Sequence, residues 1–539
     1  MFHNVSWYDI KERVMHMNRR KLPIGIQSFE KIRTNDYVYV DKTEYLYNLV
    51  QNGDSYFLSR PRRFGKSLFV STLKAYFEGK KELFKGLYID QYEHDWYHYP
   101  VLFFSLSGGE YNTSNGLAIA LHYVLERAIT QYHLTSIPTE YQNLSSRFRS
   151  VIEGLYQKTG QKVVILVDEY DKPLIDTMYV NGEQEELNRR LFKDFFSTIK
   201  DMDDYIQFSF FTGVTKFSKV SIFSDLNSLK DMSFLKDVDG ICGITQQELI
   251  DYFMIEVNDM ANHLGESVDK CLSSLAHMYN GYHFCANGIG VYNPFSLLNA
   301  LKDQELYEYW FETGTPTFLV KRLIGSKVEL ETLNEGIQIQ MNRIAHYNPH
   351  SSDPIPLFFF SGYLTIKDYD PITRIYTLKY PNTEVKNGLL NSLIPYVLND
   401  QNYDSNTQIA LMSKCIMQGN INKFLEDLQS LFAGIPYPEG VKLNYEKEWQ
   451  TQMYLIFSLL GQNVKCEVHS ALGRADCIVE TKSYVYIFEF KLDRSSEEAL
   501  KQIIERKYAL PYQSDQRHVY QIGVSFSSHE RNITSWQIQ

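Results

Sequence analysis

The sequence predicts a multidomain α/β protein with three parts: a doubly wound parallel sheet, a helical middle region of winged-helix type, and a small α/β domain at the C-terminus. Three observations support this prediction. Strands and helices alternate from about 21 to 240, strands become sparse after Gly243, and a stretch rich in proline and glycine (432–440) precedes a separate α-β-β-β-α-β pattern. The 539 residues are too many for one core at roughly 100–200 residues per domain. The predicted boundaries are 1–240, 241–435 and 436–539.

The first region contains continuous apolar runs, which are typical of strands buried on both faces of a parallel sheet. These runs are 55–59, 101–107, 162–168 and 206–214, and a further short strand is predicted at 37–41. Helical spacing separates the runs, notably at 117–132 and 185–202. This alternation predicts a doubly wound α/β domain.

The middle region is mainly helical, and it contains one hairpin signal. Two alternating runs within 357–381 are joined by Asp370, Pro371, Ile372 and Thr373, which predicts two antiparallel strands and a turn. Helices on either side would make a winged helix, but a plain hairpin packed on a helical domain fits the same pattern.

The C-terminal region reads as one compact unit of about 100 residues. A helix at 444–461 is followed by three strands, a serine-capped helix at 495–510, and a last strand at 518–526. The three strands are predicted at 464–469, 475–481 and 484–491.

Composition excludes several classes of protein. The net charge of −11 argues against bulk coating of nucleic acid or of an anionic membrane. No run approaches the roughly 20 apolar residues of a membrane span, and the start has no apolar stretch of a secretory signal. The six cysteines are scattered without a CxxC pair, which indicates reduced thiols and a cytoplasmic location.

Residues 60–67 (RPRRFGKS) follow a predicted strand and open a predicted helix, which is the context of a phosphate-binding loop of Walker A type. Gly65 and the helix N-terminus would cradle phosphates, Lys66 would reach the β and γ oxygens, and the Ser67 hydroxyl would bind Mg²⁺. Arg60 stands where the usual motif has glycine, and Arg63 is a further candidate for phosphate contact.

A second apolar strand ends in Asp168-Glu169, as in a Walker B motif. Asp168 is predicted to hold the Mg²⁺ shell, and Glu169 is predicted to act as the catalytic residue that polarises the attacking water. The next strand ends at Thr212, where a hydroxyl can sense a γ-phosphate.

The sequence resembles a known bacterial group at four places: 22–46, 59–68, 165–174 and 211–229. These segments are similar to the bacterial AAA-ATPase-like family, whose members run from an N-terminal ATPase region to a C-terminal nuclease-like region. The resemblance implies ATP binding and an arginine-bearing loop in place of the first glycine, so Arg60 is included among the cofactor-binding candidates.

The C-terminal region carries two acids and a lysine. Glu489 and Lys491 end a strand and share one face, since residues i and i+2 lie on the same side about 6.6 Å apart. Asp476 begins the adjacent strand, and Glu448 on the preceding helix is a candidate fourth member. We expect Asp476, Glu489 and Glu448 to bind Mg²⁺, and Lys491 to stabilise a transition state at a phosphodiester.

This pattern, Asp-x(12)-Glu-x-Lys in α-β-β-β-α-β order, resembles the PD-(D/E)xK nuclease superfamily and implies a restriction-endonuclease-like fold. Ala475 stands where relatives carry proline. Some relatives have Gln-x-x-x-Tyr on the next helix, whereas here Gln502 is followed by Tyr508 at a different spacing.

Two functions follow from these patterns. The first is an ATPase coupled to a Mg²⁺-dependent DNA nuclease, with foreign or mobile DNA as the substrate that the resemblance suggests. The second is a nucleotide-dependent switch or scaffold whose nuclease-like domain only binds a partner. ATP and Mg²⁺ are the expected cofactors, DNA is a candidate partner, no membrane is expected, and homo-oligomerisation stays open.

Overall fold

A computed structural model describes most of residues 21–539. The residues that it leaves undescribed are 1–20, 54, 136–142, 179–180, 216–225, 227, 313–316, 327, 346–350, 352, 399–404, 436–444, 461–464 and 469–475. The chain divides into two compact units, Met1–Gly314 with Glu335–Glu384, and Thr315–Asn334 with Val385–Gln539. The predicted middle domain, 241–435, is thus shared between the two units, and its boundaries stay a prediction.

The first unit is built around a five-stranded parallel sheet in the order β2-β3-β4-β1-β5. Its strands are β1 (Ser55–Ser59), β2 (Val101–Ser105), β3 (Val163–Asp168), β4 (Ile206–Gly213) and β5 (Lys230–Asp231). Every residue of β1 and β3 is buried, as continuous apolar runs predict. Because parallel strands end at one edge of a sheet, β1, β3 and β4 deliver their following loops to the same place.

Helices connect and cover these strands. They are α1 (Phe29–Thr34), α2 (Thr43–Asn52), α3 (Lys66–Phe77), α4 (Gly116–Gln131), α5 (Leu144–Thr159), α6 (Lys172–Met178) and α7 (Gly182–Asp201). Apolar side chains from α5 and α7 meet β2, with Phe148 stacked on Phe195 at 4.3 Å between ring centroids. The doubly wound α/β prediction is confirmed.

The strand expected at 37–41 does not form. Tyr37 makes one isolated bridge to Lys21, Val38 donates its backbone N–H to the Lys21 carbonyl at 2.9 Å, and residues 38–41 belong to no strand. Val38 and Tyr39 are buried instead among helices. Tyr39 packs against Phe29, and Val38 lies in a cluster with residues of the helices Gln246–Leu264, Val268–Tyr279 and Pro294–Asp303. The run is therefore apolar because it is buried in a helical core, and not because it pairs within a sheet.

The rest of the first unit is mainly helical. Its elements are β6 (Ile244–Thr245), α8 (Gln246–Leu264), α9 (Val268–Tyr279), β7 (Val291–Tyr292), α10 (Pro294–Asp303) and α11 (Tyr309–Glu312). Thr245 and Glu248 form a reciprocal capping box that begins α8. β6 and β7 pair as a short antiparallel ladder.

The predicted hairpin is present and has a third strand that the sequence did not show. β8 (Ile337–Gln340), β9 (Thr365–Asp370) and β10 (Ile375–Lys379) form an antiparallel sheet in the order β8-β10-β9. Two short helices, α14 (Met341–Ala345) and α15 (Ile355–Phe360), lie in the chain between β8 and the hairpin. The hairpin is thus part of a three-stranded sheet, and its assignment to a winged helix stays a prediction.

Further helices are α12 (Thr317–Ile324), α13 (Leu330–Glu335), α16 (Thr383–Val397), α17 (Ser405–Met417) and α18 (Ile421–Ala433). Among the described residues, no helix is long and apolar enough to cross a membrane. The five described cysteines are all free thiols, and Cys466 lies outside the described side chains.

The C-terminal part of the second unit is a helix followed by a five-stranded mixed sheet. Its elements are α19 (Tyr445–Leu460), β11 (Lys465–Val468), β12 (Cys477–Glu480), β13 (Tyr484–Leu492), α20 (Ser496–Glu505), β14 (His518–Ser527) and β15 (Asn532–Ile538). The sheet order follows the chain, with β13 and β14 parallel and the other neighbours antiparallel. The predicted α-β-β-β-α-β order is confirmed, and β15 extends it.

Gly523 lets α20 approach this sheet closely. A Cβ at position 523 would lie 2.3 Å from the Ser496 carbonyl oxygen and 2.4 Å from the Leu500 nitrogen. Both contacts are with backbone atoms, which cannot rotate away. Glu489 is the partner of Gly523 across β13 and β14, so this close approach also sets the distance from α20 to Glu489.

We expect Gly523→Ala to lower the free energy of unfolding by about 1–3 kcal/mol, because the added methyl group forces α20 away from the sheet. Chemical denaturation followed by circular dichroism measures the effect. Gly434→Ala is the matched control, since its nearest contact is an ordinary 3.5 Å and its φ is −80°. Equal stability changes in the two variants would contradict the packing argument.

Candidate functional site

The loop of residues 60–67 joins β1 to α3 at the carboxyl edge of the parallel sheet. Arg63 and Gly65 both have left-handed backbone, with φ of 69° and 95°. Gly65 is the N-cap of α3 and brings no side chain, so the first N–H groups of the helix stay uncovered by a capping group. A helix N-terminus with free N–H groups favours a bound phosphate.

Lys66 extends over this loop. Its Nζ donates to the carbonyl oxygens of Arg60 and Pro61, both at 2.9 Å, and the residue is only 6% exposed. Burial lowers the pKa of Lys66, while the nearby carboxylate of Asp168 opposes that shift. The ammonium group therefore lies where loop carbonyls and the acids of β3 converge.

Asp168 ends β3 beside the start of α3. The residue is 4% exposed, its carboxyl lies close enough to the Ser67 hydroxyl for that group to lower its pKa, and its Oδ1 has no hydrogen-bond partner among the described residues. Burial raises the pKa of Asp168. The structure thus brings Lys66, Ser67 and Asp168 together, as the sequence predicted.

Glu169 follows in a left-handed conformation with φ of 54°. Burial raises the pKa of its carboxyl group, and the charge of Asp168 raises it further. Thr212 lies on β4, the strand between β3 and β1, with its hydroxyl buried and unpartnered among the described residues. Both residues lie at the same sheet edge as Lys66.

The group as a whole carries more buried negative than positive charge. Asp168, Glu169 and Asp171 all interact electrostatically with the single ammonium of Lys66. A divalent cation would offset this excess, and the unpartnered Asp168 Oδ1 and the Ser67 hydroxyl are oxygen ligands of the kind that Mg²⁺ prefers. The residues therefore fit a nucleotide phosphate accompanied by a divalent cation.

The two arginines of the loop have other partners. The Arg60 guanidinium is 1% exposed, donates to the carbonyls of Ser59, Ser233 and Val238, and lies 4.2 Å from the Phe284 ring centroid. Burial lowers the pKa of Arg60 to about 10. Its side chain braces the base of the loop rather than joining Lys66, so ligand contact by Arg60 stays a prediction without geometric support.

Arg63 is exposed, and its guanidinium lies 4.8 Å from the centroid of the Phe295 ring. This cation–π contact holds the side chain at the rim of the loop. The prediction that Arg63 contacts phosphate stays open to test.

A second cluster forms on the C-terminal sheet, at the end of β13. The Glu489 side chain is 2% exposed, and its Oε1 accepts hydrogen bonds from Lys491 Nζ, at 2.9 Å, and from Gln502 Nε2. Asp476 Oδ2 accepts from the Phe490 backbone nitrogen at 2.8 Å, which places its carboxylate against β13. The structure thus brings Asp476, Glu489 and Lys491 together.

The intervening Phe490 points into the opposite face. The centroid of its ring lies 5.6 Å from that of Phe457 on α19 and 5.9 Å from that of Phe488. The alternation along β13 therefore separates the apolar core from the charged face, as the strand period predicts.

Two carboxylates crowd this face with one ammonium. Burial raises the pKa of Asp476 to about 6, and the charge of Glu489 contributes to that shift. Burial also raises the pKa of Glu489, whose Oε2 is buried without a partner among the described residues. A bound cation would contact the unpartnered Glu489 oxygen and would stabilise the charged form of both carboxyl groups. The residues therefore fit a divalent metal.

The described residues contain no group of three or more histidine, cysteine, aspartate or glutamate side chains able to hold a metal. Glu448 cannot be assessed, because its side chain lies outside the described residues. Among the described residues, Asp476 and Glu489 are the two acids that meet on this face of β13.

The spacing of Gln502 and Tyr508 in the sequence did not predict that their side chains meet. Gln502 reaches Glu489 from α20, and its Nε2 lies 3.4 Å from the Tyr508 hydroxyl. The six-residue separation still brings the pair together because α20 ends at Glu505 and the chain turns back at Lys507, where φ is 55°. The signal in the sequence was the pair itself, and only its spacing obscured it.

Asp171 is the other residue that sequence reasoning did not select. It is 1% exposed and accepts hydrogen bonds from the backbone and side chain of Thr215 and from the Val214 nitrogen. An acidic residue three positions after Asp168 was the available signal, but its burial could not be read from the chain.

The fold and the two clusters define a protein with an ATPase-like domain and a nuclease-like domain. The sequence matches the family described as "Predicted AAA-ATPase" over residues 23–223 and the "PD-(D/E)XK nuclease superfamily" over residues 444–536. A protein of Azotobacter chroococcum mcd 1, described as "Uncharacterized protein in vnfD 5'region", is 35% identical over 532 residues, covering 97% of this chain and 99% of the relative. The chain belongs to the AAA-ATPase-like family and carries a C-terminal domain of the PD-(D/E)XK nuclease superfamily.

The raised pKa of Asp476 predicts a pH-dependent stability. A native pKa of about 6 against an ordinary 3.8 means that the native state holds the proton more tightly. The resulting stabilisation is complete below about pH 4 and is lost as the pH rises through 6. Asp476→Asn should therefore raise the melting temperature at pH 7.5 in metal-free buffer, and this advantage should vanish near pH 4.

Asp493→Asn provides a control of opposite sign. Hydrogen bonds from the Ser528 side chain and backbone lower the pKa of Asp493, so this substitution should lower stability at pH 7.5. The measurement is a set of melting curves of the wild type and both variants at pH 4 and pH 7.5. A stabilisation by Asp476→Asn that is the same at pH 4 and pH 7.5 would show that burial of the charge is not the cause.

Proposed function

We propose that this protein is a P-loop ATPase coupled to a Mg²⁺-dependent DNA phosphodiesterase. The observation that carries the nuclease part is the convergence of Asp476, Glu489 and Lys491 on one face of β13. The observation that supports the ATPase part is the grouping of Lys66, Ser67 and Asp168 at the sheet edge. The two clusters occur in one chain, and we propose that nucleotide binding regulates cleavage.

In the ATPase site each residue has a distinct task. The N–H groups that begin α3 and the Lys66 ammonium would bind the phosphates of ATP. Ser67 and Asp168 would hold Mg²⁺, which supplies charge neutralisation on the β and γ oxygens. Glu169, whose pKa burial raises, would orient the attacking water and accept its proton. Thr212 would contact the γ-phosphate with its buried hydroxyl.

In the nuclease site Asp476 and Glu489 would hold the divalent metal, which supplies Lewis-acid activation at the scissile phosphate. Lys491 lies 2.9 Å from Glu489, where its ammonium can stabilise the charge that develops on the phosphodiester. Gln502 fixes Glu489 Oε1 from the other side, with Tyr508 behind it, and so orients the carboxylate.

A nucleotide-dependent switch whose C-terminal domain only binds is the second candidate. The favouring observation is charge: residues 440–539 hold 12 lysines and arginines and 12 aspartates and glutamates, so non-specific attraction to DNA is weak. The second argument for this candidate, the unusual Gln502–Tyr508 spacing, loses its force because the two side chains meet.

DNA is the proposed substrate, with foreign or mobile DNA as the source that the family resemblance suggests. Association into a homo-oligomer is a further expectation, because ATPases of this kind often complete their sites with a residue from a neighbouring copy. Light scattering with and without ATP measures that association.

We expect Lys491→Ala to reduce plasmid nicking by roughly 10²–10³-fold in Mg²⁺ or Mn²⁺ with ATP, since one preorganised donor to the developing charge is removed. Lys482→Ala is the matched control, because Lys482 is exposed in the turn before β13 and belongs to the same domain. Equal nicking by wild type and Lys491→Ala would sink the nuclease assignment. DNA binding without any metal-dependent nicking in wild type would favour the switch.

We expect Lys66→Ala to weaken ATP binding by roughly 10–100-fold through loss of a charge-assisted hydrogen bond. Glu169→Gln should keep ATP binding and slow phosphate release by roughly 10²–10⁴-fold, as for loss of a general base. Lys74→Ala is the control, since Lys74 lies on the same helix and pairs with Glu78. Titration calorimetry and a phosphate-release assay separate the two effects, and normal release by Glu169→Gln would contradict its role.

A further inference from the structure

The end of β4 is held from two sides. On one side, the backbone nitrogen of Arg60 donates to the Gly213 carbonyl at 3.2 Å, and the Ser59 hydroxyl donates to the Val214 carbonyl. These bonds tie the strand end to the start of the 60–67 loop. They fix the position of the chain relative to β1 at one and two residues beyond Thr212.

On the other side, the turn after β3 makes a denser set of bonds. The Tyr170 nitrogen donates to the Thr212 carbonyl at 3.0 Å, and the Tyr170 hydroxyl donates to the Thr215 carbonyl at 2.9 Å. Asp171 adds three more, with Oδ2 accepting from the Val214 nitrogen at 3.0 Å, the Thr215 nitrogen at 2.6 Å and the Thr215 hydroxyl at 2.7 Å. The turn that carries Glu169 is thereby joined to the strand that carries Thr212.

Gly213 shows how closely the two segments approach. A Cβ at this position would lie 2.5 Å from Asp171 Oδ1 and 2.8 Å from the Tyr170 ring. One Asp171 oxygen is therefore covered by the backbone of β4, and the other accepts three hydrogen bonds. Asp171 is 1% exposed, so neither oxygen is available to a nucleotide.

This arrangement separates Asp171 from its neighbours in the same turn. Asp168 has a buried oxygen without a partner, and Glu169 is partly exposed, so both can act on a ligand. The carboxylate of Asp171, in contrast, accepts hydrogen bonds from Val214 and Thr215. Its effect on a nucleotide must pass through the segments that it joins.

We propose that Asp171 is a positioning residue that locks the end of β4 to the Asp168–Glu169 turn, and thereby makes the site distinguish a nucleoside triphosphate from a diphosphate. The inference rests on the proposed ATP site. Thr212 and Glu169 lie on the two joined segments, and both are placed to act at the γ-phosphate. ADP lacks that phosphate and is held by Lys66 and the start of α3, which Asp171 reaches through its charge alone and not through a hydrogen bond to the described residues there.

The experiment measures the affinities of the full chain for ADP and for a non-hydrolysable ATP analogue by titration calorimetry in Mg²⁺. The variants are Asp171→Ala, Asp171→Asn, whose amide oxygen can accept the same bonds, and Thr215→Val, which removes only the hydroxyl donor. Asp176→Ala is the control, since Asp176 lies on α6 nearby and pairs with Lys172 on the surface. Melting temperatures are recorded for every variant.

In Asp171→Ala the preference for the ATP analogue over ADP should fall roughly tenfold, the size of one charge-assisted hydrogen bond, with ADP affinity within about twofold of wild type. Asp171→Asn should restore most of the preference, and Thr215→Val should reduce it by an intermediate amount. An unchanged preference, or an equal loss of both affinities, would overturn the inference.

Two further outcomes keep the inference separate from the proposed function. If Asp171→Ala does not fold, an unchanged preference in Thr215→Val overturns the positioning role by itself. If wild type binds the analogue with the expected preference but releases no phosphate from ATP, hydrolysis is excluded while the variants still decide the role of Asp171. If wild type binds neither nucleotide, the ATP site and the inference fall together.

Discussion

Buried negative charge in excess of the nearby positive charge is the constraint on which both candidate sites depend. At the sheet edge three carboxyl groups share the ammonium of Lys66, and on the C-terminal sheet Asp476 and Glu489 share that of Lys491. Removing such groups from water is costly unless a counter-charge is present. A bound cation would supply the missing counter-charge in both clusters, and relief of the cost of burying the acids would then contribute to the free energy of metal binding.

The strand order places this charge. Because β4 lies between β3 and β1, the 60–67 loop, the Asp168–Glu169 turn and Thr212 meet at one edge, although Lys66 and Thr212 are 212 − 66 = 146 positions apart in the chain. The hydrogen bonds that Arg60 and Tyr170 donate, and those that Asp171 accepts, then fix this edge. The arginine that replaces glycine in the loop contributes by filling the space behind it, where three carbonyls and an aromatic ring receive its guanidinium.

In the C-terminal domain a close backbone approach does the equivalent work. Gly523 allows α20 to lie against β14, and α20 then delivers Gln502 to Glu489. The aromatic residues of β13 and α19 pack on the opposite face and hold the strand rigid. The charged face is thus supported by an apolar core, which favours a preorganised site over one that forms only with its ligand.

The amino-acid sequence by itself predicted the main strands and helices of the two sheet domains and named the residues of both candidate sites. Buried parallel strands follow from continuous apolar runs, and the motifs of residues 60–67, Asp168-Glu169 and Glu489-x-Lys491 were legible because their residues are neighbours in the chain. The run at 37–41 misled because apolar periodicity does not reveal whether a segment is buried by a sheet or by helices.

Tertiary structure alone decided which distant side chains meet. It buried Asp171 under β4, turned Arg60 away from Lys66, added β8 and β15 to their sheets, and brought Tyr508 back to Gln502. Each of these outcomes depends on long-range packing and on the direction of a turn, and neither quantity is encoded in local spacing.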